Sequence, residues 1–285
     1  MTERSINSPR PVILRAALAA FSLALLLAFS QASLAEVAKL VIKGSTTILP
    51  IAQRIAEDFE NQCGNVEVEV SGGGSAEGIA ALIMGEADIA TSSAFITRDE
   101  LRLAQQHNVY PVPFRIANDC ILPVVHNSNP LKNISSKDLK KIYRGTINNW
   151  QQLGGPDLAI DVISRDFASG TYEVWHNVIM EREPVVTSQP LKHSNTEVVR
   201  AVSGNPAAIG YIGLGYLNAI VKPLRVDGVI GSHQTLMDDS YSINRPLFMF
   251  TNGWPRGKTL EFINFVLDSD GGQVMIEEAG YIPLR

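Results

Sequence analysis

Leu40-Val41-Ile42-Lys43-Gly44-Ser45-Thr46-Thr47, Val66-Glu67-Val68-Glu69-Val70-Ser71-Gly72-Gly73-Gly74-Ser75 and Ala87-Asp88-Ile89-Ala90-Thr91-Ser92-Ser93 share one form, and that form decides the fold. Each is a short apolar or alternating run that ends in a loop of glycine and hydroxyl residues. Between the first two, Ile48, Ile51, Ile55, Ala56 and Phe59 recur at the spacing of one buried helix face. Between the second and third, positions 76–84 read as a helix with Gly85 just past its end. Strand and helix in alternation predict an α/β fold. The sheet is expected to be mostly parallel with helices on both faces, and its ligand crevice to lie outside the carboxyl ends of the strands.

Outward from this stretch the pattern continues. Positions 114–125 form a long extended run, 135–143 a helix begun by a serine cap, and 159–164 a strand that enters Arg165-Asp166-Phe167-Ala168-Ser169-Gly170-Thr171. Helices are expected at 172–180, 198–202, 259–267 and 273–279, with strands at 208–212 and 246–250. The extended runs at 114–125 and near 241–250 are the convincing crossovers. They divide the chain after a leader into lobe one, 36–117 plus 245–285, and lobe two, 118–244, each of ordinary domain size. Two strands joining two α/β lobes predict a cleft that opens and closes.

Positions 1–35 carry Arg4, Arg10 and Arg15 followed by an apolar run at 16–29, and Ser33-Leu34-Ala35 places small residues at a cleavage point. The apolar run is shorter than the about 20 residues a membrane span requires. We read 1–35 as a cleavable signal peptide, which places the mature protein in the periplasm. The formal net charge of -5 argues against a nucleic-acid surface, which needs clustered Lys and Arg. It does not argue against one small anion held by local donors, and it suggests a monomer. In an oxidising compartment Cys63 and Cys120 could pair, or remain as a partly exposed and a buried thiol; spacing alone does not decide. Two distant Cys and five scattered His offer no metal site, and nothing calls for a cofactor.

The chemistry lies in the loops. Gly44-Ser45-Thr46-Thr47 and Gly72-Gly73-Gly74-Ser75 open helices, where free N–H groups and the helix dipole attract an anion. Taken singly, each loop could be no more than a helix cap. Ser169-Gly170-Thr171 is a third such turn, preceded by Arg165, whose planar fork of donors suits a tetrahedral oxyanion. Three such turns at strand ends point to anion binding. No Gly-Lys-Ser/Thr follows the glycines, so a nucleotide P-loop is excluded. No nucleophile elbow or His-Glu-x-x-His accompanies the histidines, so an enzyme is not expected.

The segment 43–59, the Gly72-Gly73-Gly74-Ser75 loop, Ala87 to Ser93, Ile142-Tyr143-Arg144-Gly145 with Ile147-Asn148-Asn149-Trp150, Ser169-Gly170-Thr171, the segment 205–216 and Gly280-Tyr281-Ile282-Pro283 occur in an order that resembles a known family. It is that of the periplasmic phosphate-binding proteins of high-affinity phosphate ABC transporters. The resemblance implies a type II periplasmic-binding-protein fold, with phosphate held between two lobes and delivered to an ABC permease. Carried over by position, it implies phosphate contacts at Thr46, Thr47, Ser75, Ser93, Arg165, Ser169, Gly170 and Thr171. Receptors for sulfate, molybdate or tungstate, and sensory or adhesive proteins on the same fold, are the alternatives. Where some members carry Asp, this chain has Ser93, which can donate to an unprotonated oxygen as well as accept, so rejection of sulfate is expected to be weaker. Ala94, Phe167 and Ala168 stand where Arg, an acidic residue and Gly are common.

Overall fold

The computed structural model describes residues 37–187 and 189–284; the signal peptide expected at 1–35 lies outside them. The chain begins with β1 (Ala38–Gly44), α1 (Leu49–Cys63), β2 (Val66–Ser71), α2 (Ser75–Ile83) and β3 (Ile89–Ser92), close to the sequence expectation. α1 buries Ile51, Ala52, Ile55, Ala56 and Phe59 on one face, each large apolar side chain contributing about 1.5–3 kcal/mol. An unanticipated α3 (Arg98–Gln106) follows, started by a capping box between Thr97 and Glu100. Next come β4 (Pro111–His126), β5 (Asn133–Ile134), α4 (Ser136–Tyr143), a 3-10 turn at Trp150–Leu153 and β6 (Asp161–Val162). The strand expected at 159–164 thus shrinks to two residues. The remainder is α5 (Gly170–Val178), α6 (Asn195–Ser203), β7 (Ala208–Gly213), β8 (Val221–Pro223), β9 (Arg225–Val226), α7 (His233–Met237), β10 (Asn244–Asn252), α8 (Gly257–Leu267) and α9 (Gly272–Glu278).

The main sheet runs β2-β1-β3-β10-β4-β7-β6, with β8 added beside β4. Pairs β1–β2, β1–β3 and β6–β7 are parallel, as strand–helix alternation requires. The centre corrects the expectation of a mostly parallel sheet. β10 lies antiparallel to both β3 and β4, and β4 antiparallel to β7 and β8. A strand covered on both faces reads as a continuous apolar run whichever way it points, so direction is invisible in 114–125 and 246–250.

Packing follows the sheet. Leu40, Ile42, Ile55, Phe59 and Phe262 belong to one apolar core, with the Phe59 and Phe262 rings edge to face at 5.2 Å. Tyr143, Trp150, Trp175 and Tyr211 belong to another, where Trp175 stacks on Tyr211 at 4.4 Å. β4 passes from one to the other: Ile116 and Ala117 pack in the first, Cys120 to Val125 in the second. Cys63 and Cys120 are both free thiols, Cys63 exposed and Cys120 buried. Burial pushes the Cys120 thiol up to about 12, which makes it a packing group and not a nucleophile.

Candidate functional site

The three loops of the N-terminal stretch meet the Arg165–Thr171 loop. A capping role does not account for the first of them: the N-cap of α1 is Ile48, with no side-chain cap. The threonine hydroxyls instead reach far along the chain. Thr46 Oγ1 accepts from Arg165 Nη2 at 3.1 Å, and Thr47 Oγ1 lies 3.1 Å from Thr171 Oγ1. Ser75 and Ser93 are joined, since the Ser93 N–H donates to Ser75 Oγ at 3.1 Å and the two hydroxyls are 3.4 Å apart. Ser169 does cap α5, accepting from the Tyr172 N–H at 3.2 Å. Gly170 sits against both serines; a Cβ there would lie 2.5 Å from Ser75 Oγ and 2.7 Å from Ser93 Oγ, so only glycine fits. Gly74, at φ +135°, likewise approaches the Ala168 carbonyl, which accepts from the Ala76 N–H at 3.2 Å. All eight residues expected from the sequence are therefore brought together, and all but Thr46 are buried.

Arg165 is the charge in this cluster. It is 1% exposed, its Nε donates to Lys192 O at 3.0 Å, and its Nη2 also donates to His193 O at 3.0 Å. None of these partners is a carboxylate. The adjacent Asp166 bonds instead to the exposed His193 imidazole at 2.9 Å. Nη1 is buried with no hydrogen-bond partner, a state that costs free energy unless an acceptor is supplied. Burial lowers the Arg165 pKa from its ordinary value, but a guanidinium remains a cation. Its backbone N–H is held by the Tyr211 hydroxyl at 3.1 Å, and Tyr211 is locked between Trp175 and Tyr143. A buried, hydrogen-bonded cation and hydroxyls gathered on the first turns of α2 and α5 form a donor set suited to one small oxyanion.

A family model for the PBP superfamily domain matches residues 30–270. The phosphate-binding protein PstS of Borreliella burgdorferi is 32% identical over 86% of this chain and 89% of its own. The chain belongs to this family of phosphate-binding proteins. Among solved structures, an ABC-type phosphate transport receptor from Vibrio cholerae is 31% identical, with a TM-score of 0.70 over 85% of this chain and 99% of that one. A phosphate ABC transporter substrate-binding protein from Clostridium perfringens, solved with bound phosphate, is 28% identical, with a TM-score of 0.81 over 87% of this chain and all of the other. The fold is thus the α/β fold of the periplasmic-binding-protein type. Both solved relatives are named for phosphate transport.

This member of the family carries site residues that sequence reasoning missed. Arg245, on β10, is buried at the centre of the cluster and brings two donors to one oxygen of Asp119 of β4, with Nη2 at 2.7 Å and Nε at 3.1 Å from Oδ2. Burial pushes the Asp119 carboxyl up, against the pull of Arg245 and of the Leu214 N–H. Arg245 also donates to Thr171 Oγ1 at 2.8 Å and to Thr47 Oγ1 at 3.2 Å. Asn195, the first residue of α6, donates to Thr47 Oγ1 at 3.2 Å. The Tyr216 and Tyr281 hydroxyls donate to the Thr46 and Thr47 carbonyls, pinning the first loop from behind. Both tyrosines fall in segments that carried the family resemblance, a signal that gave them no role. Arg245 and Asp119 have no local signal, because their partnership spans 126 positions. Among the described residues no group of three or more His, Cys, Asp or Glu is placed to hold a metal, and no helix is long and apolar enough to cross a membrane.

Proposed function

We propose that this protein captures inorganic phosphate between two lobes and delivers it to an ABC permease. The observation that carries the reading is the buried Arg165 guanidinium, whose Nη1 has no partner among hydroxyls contributed by four loops. Phosphate supplies the acceptors that this group lacks; Thr46, Ser75, Ser93, Ser169, Gly170 and Thr171 supply the surrounding donors, and Thr47 lies behind them against Thr171. The lobes are 36–117 plus 245–285 and 118–244, and β4 and β10 are the strands that join them. The contacts Thr46–Arg165, Thr47–Thr171 and Ala76–Ala168 then all run between lobes. Closure on the anion is driven by its higher affinity for the state in which both donor sets reach it. The chain acts in the periplasm after removal of 1–35, as a monomer, and performs no chemistry on the ligand. Family membership and the bound phosphate of the C. perfringens relative support the choice of anion.

Titration calorimetry tests this, using residues 36–285 unfolded and refolded to strip ligand. One phosphate per protein with clear exothermic binding is expected, with measurable but weaker sulfate binding because Ser93 can donate to a fully ionised oxygen. Sulfate or tungstate binding tighter than phosphate would reassign the ligand, and no heat with any oxyanion would refute capture.

A further inference from the structure

Arg245 is not a second charge for the ligand. Its ion pair with Asp119 Oδ2, at 1% and 0% side-chain exposure, neutralises it inside the molecule. What remains is two fixed N–H donors aimed at hydroxyls, and a guanidinium can only donate. A threonine hydroxyl has one proton and two lone pairs. At Thr47 both lone pairs are taken, by Arg245 Nη2 and by Asn195 Nδ2, each at 3.2 Å. The Asn195 amide is oriented by the Gly213 N–H, which donates to its Oδ1 at 3.2 Å. Thr47 therefore donates across the 3.1 Å contact to Thr171 Oγ1. Thr171 Oγ1 now accepts from Thr47 and from Arg245 Nη1 at 2.8 Å, and its own proton has to point elsewhere. Arg245 makes one more contact, to the Ser93 carbonyl at 3.4 Å.

We propose that Arg245, with Asn195, fixes the Thr171 hydroxyl as an obligatory donor to the bound anion, so that the site takes the phosphate dianion in preference to the monoanion. This rests on the phosphate-capture reading above. Arg245 acts here as a positioning residue. Each proton on phosphate needs an acceptor, and the relay withdraws Thr47 and Thr171 from the acceptors available. The cost of a wrongly placed proton is that of a buried donor facing a donor. Binding from the monoanion then releases a proton.

The charged and titratable groups around this relay are Asp119 on β4, Arg165 and Asp166 beside α5, Tyr216, and Tyr281 near the C-terminus. Burial pushes both phenols up, Tyr216 to about 12, out of the range that matters. Glu173 on α5 is pushed up to about 7 by burial, with Glu100 of α3 adding to it. His193 is the imidazole bonded to Asp166. The test is therefore run in an E173Q/H193Q background.

Phosphate binding is measured calorimetrically at about pH 5, where the monoanion predominates, in buffers of different ionisation enthalpy. The protons released per phosphate follow from the dependence of heat on buffer. Release of about one proton per phosphate is expected with Arg245 present. In Arg245→Met/Asp119→Asn, which removes both charges together and keeps an acceptor for the Leu214 N–H, release should fall to less than about half of that. Arg245→Lys keeps Asp119 paired but loses the fork, and its release should be intermediate. No release with Arg245 present, or unchanged release in whichever variant folds, overturns the proposal. Absence of phosphate binding at both about pH 5 and about pH 8 in the background protein would instead refute the capture reading, and the inference with it.

Discussion

At the scale of single residues, burial does to charged groups what composition could not announce. Glu173 sits in the first turn of α5, where a carboxylate suits the helix dipole, yet burial raises its pKa from 4.5 to about 7. A carboxyl whose folded pKa lies above its unfolded one costs stability as pH rises: the unfolded chain loses the proton near 4.5, and the folded chain holds it to about 7. Stability is therefore lost across that window and the cost is complete above it. Glu173→Gln should raise the melting temperature at about pH 8 and leave it unchanged at about pH 4, read by thermal melts at both. A gain of equal size at both would mean that ionisation is not the cause. Arg165 shows the converse, a group readable in the sequence because an Arg ahead of a Ser-Gly-Thr turn has a chemical meaning wherever it folds. Ser75, Ser93 and Gly170 were readable for the same reason, since hydroxyls and glycines at strand ends are local signals.

At the scale of elements, legibility fails where the signal is not local. β1, α1, β2 and α2 follow from periodicity over a few residues each, and the structure keeps their starts within one or two positions. β4 and β10 were visible as extended runs, but their antiparallel pairing was not, because a both-face-buried strand carries no mark of direction. The Asp119–Arg245 pair that ties these two strands together was hidden in the same way. Asp119 sits within a run of ten buried residues of β4, where a charge is retained only with a partner. That element-scale pairing makes a prediction. Asp119→Ala leaves Arg245 charged and uncompensated between the strands, and should destabilise the protein by about 3–5 kcal/mol, measured as a lowered urea midpoint. The double Arg245→Met/Asp119→Asn should recover much of that loss; a double variant no more stable than the single one would show that strand packing, and not the stranded charge, sets the cost.

At the scale of the whole molecule, β4 passes from one apolar core into another with β10 paired beside it, and this frame gathers the hydroxyl cluster. Loops from the N-terminal stretch carry Thr46, Thr47, Ser75 and Ser93, and the loop ahead of α5 carries Arg165 through Thr171; neither set alone surrounds an anion. In the proposed reading the cation lies on one lobe and most of the hydroxyls on the other, an arrangement that would couple binding to closure, since each would complete the other only when both approach. Small-angle scattering on residues 36–285 and on Arg165→Ala, each stripped of ligand and then saturated with phosphate, tests this most directly. A smaller radius of gyration is expected on saturation of the natural sequence, with no change in Arg165→Ala. No compaction in the natural sequence, or the same compaction in both proteins, would contradict it.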